Sequence, residues 1–399
     1  MSATTTQPRI AIIGGGPGGL TLLLTLHKRG IPATLYEREA SFTSRAHLGG
    51  TLDLGYDSGQ RALRANGLEE LFKKHSRPEG DTNRFGDSQK ILGCIDADPN
   101  QDPRDLRPEI DRSVLRKIML DALPADAIKW GYALATVRPL DGGAHELTFA
   151  NGYTAVSDVL VGADGAYSRV RPLVSSAVPI YHGVTGAEIS LAPETVKLPE
   201  LKETVEMVGR GSMYAVENER MLGAQVNGDG RIRTYAWFRG PADWVLPPDP
   251  AAAREALLEV YEGWAPWMRK LIEHCDGAAI YPRPLYHLPT DHSWEHVPGV
   301  TLLGDAAHLM SPFAGAGANL AMLDALELGL VLADVVSGGK SVEEREAGIA
   351  AWEEARMSEG RRVGALAARN LEGTFAPEGP PSDLDEMREV MNPELRRKA

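Results

Sequence analysis

Short apolar runs that stop at glycine-rich turns mark both ends of the chain. Near the start, Arg9–Ile13 is such a run and predicts a buried strand. Leucine then fills five positions between residues 20 and 26, which predicts a helix, and Ala33–Tyr36 predicts a second strand that leads to Glu37. A strand, helix and strand within about 30 residues form a βαβ unit, so we expect a parallel sheet. Far along the chain, Thr301–Leu303 repeats the apolar run that stops at a turn.

The next part of the chain mixes short helices and strands. Gly50–Leu54 predicts an extended segment and Asp57–Leu71 a helix, and the polar stretch Pro78–Pro108 predicts a loop. Residues 111–123 have the spacing of apolar positions that is typical of a helix. Alternating stretches from residue 133 onward predict a hairpin that leads into the buried strand Val159–Val161, which ends at another glycine turn.

Alternation of apolar and polar positions dominates residues 172–280. It predicts an antiparallel sheet that forms a separate lobe with one face available to a ligand. The first lobe resumes near Pro282. The candidate strands are Thr204–Val208, Met213–Val216, Gly223–Asn227 and Arg231–Phe238, and the candidate helices are Asp249–Glu262, Trp267–His274, Ala318–Val336 and Ser341–Asn370.

Composition and charge narrow the class of protein. The 399 residues are 43% apolar and 24% charged, which is ordinary for a globular protein with two lobes. The formal net charge of −13 argues against nucleic-acid binding, because phosphate recognition needs a basic surface. Two cysteines are too few for a disulfide framework or a multi-cysteine metal site. Met1–Arg9 lacks the apolar segment of a signal peptide and no membrane-spanning run follows. We expect a cytoplasmic monomer without a membrane span or a metal.

The turn Gly14–Gly19 has the spacing Gly-x-Gly-x-x-Gly between the first predicted strand and helix. Glycines at this spacing permit a tight turn and the close approach of a pyrophosphate, and the helix start supplies free N–H groups. Glu37 follows 21 residues after Gly16, at a strand end where a carboxylate can bind ribose hydroxyls. The pattern predicts a dinucleotide such as FAD or NAD. The alternative is a tight turn that binds no ligand.

Two further turns place a carboxylate directly after a predicted strand. Asp164 follows the first of these strands, and the alternative for it is a solvated loop whose arginines pair with the carboxylate. Asp305 follows Thr301–Leu303, where a carboxylate can hold the ribityl chain of a flavin. The glycine-rich stretch 312–319 then aims N–H groups and a helix dipole at one point, which would stabilise the negative charge of a reduced flavin. We expect His308, beside this turn, to be structural.

These three turns, in this order and spacing, resemble the FAD-dependent single-component aromatic hydroxylases of the para-hydroxybenzoate hydroxylase type. The resemblance implies an α/β fold with a Rossmann-type FAD-binding domain, a mostly antiparallel β-sheet substrate domain and a C-terminal bridging helix. A closer resemblance is to the tetracycline-inactivating flavin monooxygenases. It is carried by Gly49–Leu54, Ser58–Gln60, Pro108–Arg112, Leu115–Arg116 and His308–Gly315.

The predicted domains follow from the elements together with this resemblance. The FAD-binding domain is discontinuous and takes residues 1–172 and 282–340, while the substrate-binding domain takes residues 173–281. Residues 341–375 form the C-terminal helix, and residues 376–399 form a loosely held tail.

The resemblance also implies which residues contact the cofactor. Glu37 should meet the adenosine ribose and Arg38 the adenine side, while Asp305 should hold the ribityl or pyrophosphate end. Arg112 should reach the flavin or its ribityl–phosphate region, and Gly315–Asn319 should lie along the pyrimidine side of the ring. The predicted cofactor-binding residues are Gly14, Gly16, Pro17, Gly18, Gly19, Glu37, Arg38, Asp53, Arg112, Asp164, Asp305, Pro312, Gly315, Gly317, Ala318 and Asn319.

The substrate lobe matches the family less well than the cofactor turns do. Four of its residues fall near positions that contact substrate in the tetracycline branch, but they are not the residues expected there. Ala316 also stands where that branch usually has glutamine. Arg210 and Arg233 fit solvated sheet positions equally well. The predicted substrate-binding residues are Glu188, Arg210, Arg233, Tyr235 and Phe313.

The resemblance implies a monooxygenase. In this family NADPH or NADH reduces FAD, O2 adds to the reduced flavin, and the hydroperoxide transfers one oxygen to a polycyclic or phenolic substrate, here tetracycline-like or a polyketide. No catalytic side chain is needed, because the flavin carries the chemistry. Asp164 belongs to the motif that the family links to both FAD and NAD(P)H. Two alternatives stay open: a flavin halogenase or oxidase on the same scaffold, and a flavin-loaded protein that binds an aromatic ligand without turnover.

Overall fold

The computed structural model of the chain describes residues 7–45, 49–78, 82–96, 100, 102 and 104–377. The predicted loosely held tail lies outside the described residues from residue 378 onward. Among the helices of the described ranges, none combines the length and the apolar composition that crossing a bilayer requires.

Strands and helices alternate at both ends of the chain, and strands dominate its middle. The strands are β1 (Ile10–Ile13), β2 (Ala33–Glu37), β3 (Thr51–Asp53), β4 (Asn83–Gly86), β5 (Ile91–Ile95), β6 (Glu109–Asp111), β7 (Ile128–Trp130), β8 (Leu134–Pro139), β9 (His145–Phe149), β10 (Thr154–Ser157), β11 (Val159–Gly162), β12 (Ile180–Tyr181), β13 (Val184–Leu191), β14 (Ser212–Glu217), β15 (Arg220–Val226), β16 (Ile232–Arg239), β17 (Tyr281–Pro282), β18 (Tyr286–His287) and β19 (Val300–Leu302). The helices are α1 (Pro17–His27), α2 (Gly59–Ala65), α3 (Glu69–His75), α4 (Arg112–Leu120), α5 (Lys202–Val208), α6 (Pro250–Val260), α7 (Pro266–Glu273), α8 (Asp305–His308), α9 (Gly317–Ser337) and α10 (Val342–Thr374).

A parallel sheet forms the centre of the first lobe, with strands in the order β19-β11-β1-β2-β7. Ile12 of β1 lies opposite Val161 on one side and Leu35 on the other. All of β1 is buried because both faces of the sheet are covered. Helices α1, α4 and α9 pack on one face, and the antiparallel sheet β10-β9-β8 packs on the other. The predicted βαβ unit and hairpin are therefore confirmed.

A second, mostly antiparallel sheet has the strand order β17-β13-β16-β15-β14-β4-β5. One face packs on α5, α6 and α7, with small and apolar residues such as Ala187, Ile189 and Ala236 pointing into that core. The alternate residues of the same strands face the first lobe. The predicted antiparallel sheet with one face available to a ligand is present in the structure.

The predicted strand Thr204–Val208 is wrong, because these residues lie in helix α5. The side chains of Leu201, Thr204 and Val208 are buried at a spacing of three and four residues, which is a helical repeat. The Thr204 hydroxyl donates a hydrogen bond to the backbone oxygen of Trp267 over 2.8 Å, which fixes α5 against α7. In a short segment, apolar residues spaced two and four apart fit both the period of a strand and the period of a helix. Here the contact with α7 stabilises the helix.

The predicted loop between Pro78 and Pro108 contains the hairpin β4–β5, which extends the second sheet. β4 pairs in parallel with β14, from Asn83 opposite Ser212 to Gly86 opposite Ala215. Pairing between strands this distant in sequence leaves no local signal. The predicted domain boundaries, which count this stretch with the first lobe, stay a prediction.

One predicted helix is two in the structure. Residues 57–71 form α2 and the start of α3. Gly67 lies between them with a φ of +74°, a left-handed conformation that favours glycine and ends a helix.

Helix α10 runs along both lobes and is about 50 Å long at 1.5 Å per residue. The Ser341 hydroxyl accepts a hydrogen bond from the Glu344 backbone N–H, and the Ser341 N–H donates to the Glu344 carboxylate, so a capping box starts the helix. Trp352 packs in the core of the first lobe. At the other end, Leu371 and Phe375 pack with aromatic residues of the second sheet.

Candidate functional site

A cavity of about 1090 Å³ lies between the parallel sheet and the second sheet. Its volume is just above the roughly 300–1,000 Å³ that is usual for ligand pockets. The carboxyl ends of β1 and β2 and the turn that follows β11 line one part of the cavity, and residues of β13–β16 line another. Every predicted cofactor-binding residue except Gly19 lines this cavity. The topology therefore brings together residues that are far apart in the sequence.

The turn between β1 and α1 depends on three glycines, each for a different reason. A Cβ at Gly14, where φ is +107°, would lie 2.3 Å from the backbone oxygen of Ala163. A Cβ at Gly19 would lie 1.9 Å from the backbone oxygen of Gly14, so Gly19 serves the close packing of helix on strand. A Cβ at Gly16 would meet no atom within 4 Å. Gly16 therefore leaves open space beside the start of α1, where backbone N–H groups have no helical partner.

Glu37 is the last residue of β2, and both of its carboxylate oxygens accept hydrogen bonds. Oε2 accepts a hydrogen bond from the Gly15 N–H over 2.6 Å, and Oε1 accepts one from the Glu39 N–H over 3.0 Å. Arg116 Nη2 lies 3.9 Å from Oε2. The carboxylate is buried and held in place at the glycine turn, and Arg38 follows it on the cavity wall.

Asp164 follows β11 with only one of its oxygens occupied. Oδ2 accepts a hydrogen bond from the Arg169 N–H over 2.7 Å. Oδ1 is buried and has no hydrogen-bond partner among the described residues. Burial raises the pKa of this carboxyl, although hydrogen bonds from Ser168 and from the backbone oppose the shift. An acceptor oxygen is thus available to a donor group in the cavity.

Asp305 begins α8 directly after Gly304, and its side chain is exposed to the interior of the cavity. Protein surrounds the cavity at this point, and this desolvation raises the pKa of the Asp305 carboxyl against the opposing effect of His308 and Arg112. His308 Nε2 lies 2.6 Å from Asp324 Oδ2. Burial lowers the pKa of His308, but the buried Asp324 carboxylate outweighs it, so the pKa is raised overall. His308 is paired with α9, as expected of a structural residue.

Asn319 at the start of α9 connects this helix to the segment after β3. Its Oδ1 accepts hydrogen bonds from Gly55 N–H over 2.9 Å, Gly59 N–H over 3.2 Å and the Ser58 hydroxyl over 3.1 Å. Its Nδ2 donates to the backbone oxygen of Asp53 over 2.7 Å. Asn319 therefore positions the cavity wall, a role that the sequence does not reveal.

The face of the second sheet that lines the cavity carries an aromatic wall, defined as Phe85, Tyr214, Tyr235 and Trp237. The Tyr235 and Trp237 rings stack with centroids 4.9 Å apart, and Phe85 and Tyr214 stack at 6.1 Å. Phe313 lies 5.8 Å from Trp237 and also lines the cavity. Stacked rings of this kind offer a flat apolar surface to a planar ligand.

Glu188 forms a buried ion-pair cluster beside the aromatic wall. Arg233 Nη1 donates to Glu188 Oε1 and Arg283 Nε donates to Oε2, both over 2.8 Å. Glu188 and Arg283 line the cavity, whereas Arg233 is buried behind them. Arg210 is exposed and does not line the cavity. The alternative prediction, that these arginines are solvated residues of the sheet lobe, fits the exposed position of Arg210 but not the buried position of Arg233.

Sequence reasoning missed several polar residues that line the cavity, namely Asn83, Glu109, Ser212 and Gln225. Ser212, Gln225 and Arg233 stand in register on β14, β15 and β16, and Asn83 of β4 pairs with Ser212. We call these four residues the polar row. Glu109 of β6 meets the row at Ser212, whose hydroxyl donates to Glu109 Oε1 over 3.4 Å. Strand alternation could have indicated Ser212 and Gln225, but the position of Glu109 depends on long-range packing.

Comparison with known proteins identifies the family. A family model described as FAD binding domain matches residues 7–261 and 293–362. The monooxygenase asqM of Emericella nidulans is 30% identical over 373 residues, which cover 80% of this chain and 82% of that protein. The predicted resemblance to FAD-dependent monooxygenases is confirmed by these matches.

Two solved structures have the same fold. The crystal structure of Klebsiella pneumoniae HpxO with FAD and uric acid has a TM-score of 0.76 at 22% identity, covering 100% of this chain and 95% of that one. The crystal structure of the tetracycline destructase Tet(51) has a TM-score of 0.70 at 18% identity, covering 98% and 97%. At these identities the likeness shows the fold alone, and it confirms the predicted α/β architecture.

The cavity fits FAD on its own geometry. Gly16 leaves room for a phosphate where a Cβ would project. Asp164 holds a buried acceptor oxygen without a partner among the described residues, and the Asp305 carboxyl faces the cavity, where sugar hydroxyls would supply donors. The chain belongs to the FAD binding domain family and is an FAD-dependent monooxygenase.

Proposed function

We propose that this enzyme inserts one oxygen atom from O2 into a polycyclic or phenolic aromatic substrate, with NADPH or NADH as a transient hydride donor. One oxygen atom enters the substrate, the other leaves as water, and the nicotinamide supplies the two electrons. The observation that carries the proposal is that the glycine turn and the aromatic wall line the same cavity. Tetracycline-like compounds and aromatic polyketides are flat enough and large enough to use that wall.

The predicted cofactor contacts are part of this proposal. Glu37 would bind the adenosine ribose, with Arg38 toward the adenine, and the free N–H groups at the start of α1 would bind the phosphates. Asp305 would hold the ribityl or pyrophosphate end. Gly315, Gly317 and Ala318, at the start of α9, would present N–H groups and a positive dipole end to the pyrimidine side of the flavin.

The chain's own contribution to the reaction is binding, orientation and the exclusion of water. FAD, when bound, supplies the oxygen activation. The aromatic wall would hold the substrate ring flat, and Phe313 would close the cavity on the side of α10. The buried Glu188 cluster would fix the edge of the substrate, since Arg283 keeps part of its guanidinium accessible. Exclusion of water from such a site protects the reactive species and strengthens polar contacts.

The test is oxygen transfer by the FAD-loaded protein. NADPH and NADH oxidation and oxygen uptake would be followed with a panel of phenols, naphthols and tetracyclines under isotopically labelled O2. We expect one class to accelerate nicotinamide oxidation and to yield a product that is heavier by one labelled oxygen atom.

The other outcomes contradict the proposal in distinct ways. Hydrogen peroxide as the sole product of oxygen uptake would indicate an oxidase, and halide-dependent products would indicate a halogenase. Tight binding of an aromatic compound without nicotinamide consumption would indicate a binding protein. A matched pair of variants locates the site: Tyr235→Leu should weaken substrate stimulation, whereas Tyr153→Leu, on an exposed turn outside the cavity, should not.

A further inference from the structure

Glu109 is a buried carboxyl on the cavity wall to which neither the sequence nor the proposed cofactor contacts assign a role. The residue is only 5% exposed, yet it lines the cavity beside the aromatic wall. Its backbone pairs with Asp53 of β3, and its side chain reaches Ser212 at the polar row. β6 thus delivers a carboxyl to the face of the second sheet on which a substrate would lie.

The two oxygens of Glu109 are satisfied unequally. Oε1 accepts the Ser212 hydroxyl over 3.4 Å, while Oε2 is buried without a hydrogen-bond partner among the described residues. Arg77 Nη2 lies 3.8 Å from Oε2, beyond hydrogen-bond distance, and donates instead to Asp111 Oδ1 over 2.8 Å. A buried acceptor without a donor is costly, so a ligand that supplies the donor gains that free energy on binding.

We propose that the Glu109 side chain determines substrate specificity by accepting a hydrogen bond from a hydroxyl or N–H group on the ring that lies against the aromatic wall. This inference rests on the proposed function and deepens it, because it selects aromatic compounds that carry a donor substituent over their alkylated analogues. Ser212 and Gln225 orient the carboxyl: Gln225 Nε2 donates to the Ser212 hydroxyl over 3.2 Å, and that hydroxyl donates to Glu109.

The ionisation of Glu109 adds a second readout. Burial raises the pKa of Glu109 to about 7, with Arg77 and the nearby hydroxyls of Thr51 and Ser212 lowering it and Asp53 raising it. Tyr214 of β14 also faces this carboxyl, and its pKa is raised, so it stays neutral near pH 7. A carboxylate accepts a hydrogen bond more strongly than a neutral acid does. A donor ligand should therefore bind more tightly at pH 8 than at pH 6.

The experiment measures binding to the FAD-loaded protein by the perturbation of flavin absorbance. The probes are 2-naphthol, which has a hydroxyl donor, and 2-methoxynaphthalene, which lacks it. We expect the wild type to prefer 2-naphthol by roughly tenfold or more, the difference that one charge-assisted hydrogen bond supplies. Glu109→Leu should lose most of that preference and leave the affinity for the methyl ether nearly unchanged.

Glu109→Gln keeps the size of the side chain and an acceptor oxygen but cannot ionise. Its affinity for 2-naphthol should be lower than that of the wild type at pH 8 and should not change between pH 6 and pH 8. This variant also carries the test if Glu109→Leu does not fold. Glu203→Gln, on the exposed side of α5, is the matched control and should behave as the wild type does.

Failure of this inference can be told apart from failure of the proposed function. A wild type that binds the two probes equally, binds neither, or loses affinity for both equally in Glu109→Leu overturns the role of Glu109, whatever the oxygen-transfer assay gives. A wild type that selects 2-naphthol through Glu109 but yields no oxygenated product with any member of the panel leaves this inference standing and overturns the proposed function alone.

Discussion

The carboxyl groups of the cavity differ in how completely their oxygens are hydrogen-bonded. Glu37 accepts two backbone N–H groups, Asp164 has one buried oxygen without a described partner, and Glu109 has one such oxygen as well. Full hydrogen bonding holds a carboxylate in one geometry, whereas an unpaired oxygen is ready for a ligand donor. The same burial raises the pKa of both Asp164 and Glu109, because it disfavours the charged form of a carboxyl.

Replacing Glu109 should change how stability depends on pH. The pKa of Glu109 rises from 4.5 in the unfolded chain to about 7 in the folded protein, so the folded state binds this proton more tightly. Its contribution to stability is greatest at low pH and falls as the pH rises through 7. The free energy of unfolding of Glu109→Gln, relative to the wild type, should therefore rise by about 2 kcal/mol from about pH 5.5 to pH 8. Urea denaturation at both pH values measures it, and a constant difference would contradict the argument.

Gly16 offers a substitution that separates folding from cofactor binding. A Cβ there meets no protein atom within 4 Å and the φ of −75° suits any residue, so Gly16→Ala should leave the stability of the FAD-free protein nearly unchanged. The methyl group would occupy space at the proposed phosphate site, so FAD affinity should fall by roughly tenfold or more, about 1.4 kcal/mol. Gly364→Ala, in the open on α10, is the control, with FAD affinity equal to that of the wild type. Equal FAD binding by all three proteins, measured by fluorescence titration, would remove Gly16 from the site.

Among the elements, those that bury one contiguous apolar run could be predicted from the sequence. The unit β1–α1–β2 and helix α9 are of this kind, because their packing in the fold stabilises the same conformation that the local sequence pattern favours. Helix α5 could not be predicted, since its few apolar positions suit a strand as well and the contact with Trp267 decides. The hairpin β4–β5 depends on pairing with β14, which no local pattern contains.

The residues of the candidate site likewise fall into those that could be located from the sequence and those that could not. The glycine turn, Glu37 and Asp305 could be located because each follows a recognisable strand end, and the structure brings them to one cavity. Glu109 and the role of Asn319 could not, because their partners come from elements that are distant in the sequence. The predicted substrate residue Arg210 is exposed and lies outside the cavity. Its position could not be predicted, because the spacing of residues in a strand does not show where a residue in the neighbouring loop points.

The junction between α9 and the segment after β3 should depend on Asn319. In Asn319→Ala, the N–H groups of Gly55 and Gly59 would lose their acceptor, and unsatisfied buried donors cost about 1–3 kcal/mol each. Because the Gly55 N–H is only partly buried and water can reach it in part, we expect the free energy of unfolding to fall by about 2–4 kcal/mol in total. Asn319→Asp keeps the acceptor and loses only the donor to Asp53, so its stability should lie between those of the wild type and the alanine variant. Denaturation curves give the order, and an alanine variant as stable as the wild type would show that the junction is held elsewhere.

In the whole molecule, helix α10 connects the two lobes. Trp352 belongs to the core of the first lobe, while Leu371 and the following Phe375 belong to a cluster with Trp237 and Phe313 at the cavity. Arg239 of β16 reaches the same end of the helix, where it pairs with Glu372. The relative position of the two sheets, and hence the width of the cavity, is set in part by a helix that supplies none of the predicted site residues.

Truncating Phe375 should test this connection. Its side chain is fully buried and packs edge-to-face on Phe313 with ring centroids 5.6 Å apart. Phe375→Ala should lower the free energy of unfolding by about 3–5 kcal/mol, because it removes the ring and leaves a void. Leu330→Ala, at an exposed position of α9, is the control and should change stability by no more than about 0.5 kcal/mol. Similar losses in both variants would mean that the end of α10 is not a specific contact.

The strand order of the parallel sheet has a consequence for biosynthesis. β11 lies between β1 and β19, and β19 is not translated until residue 302 of the 399 has been added. Until then the backbone N–H and C=O groups along that edge of the apolar strand Val159–Gly162 have no partner, and unprotected edges of this kind promote aggregation. The nascent chain therefore has to keep this edge covered while more than a hundred residues leave the ribosome, and fragments that end before Val300 should precipitate instead of folding.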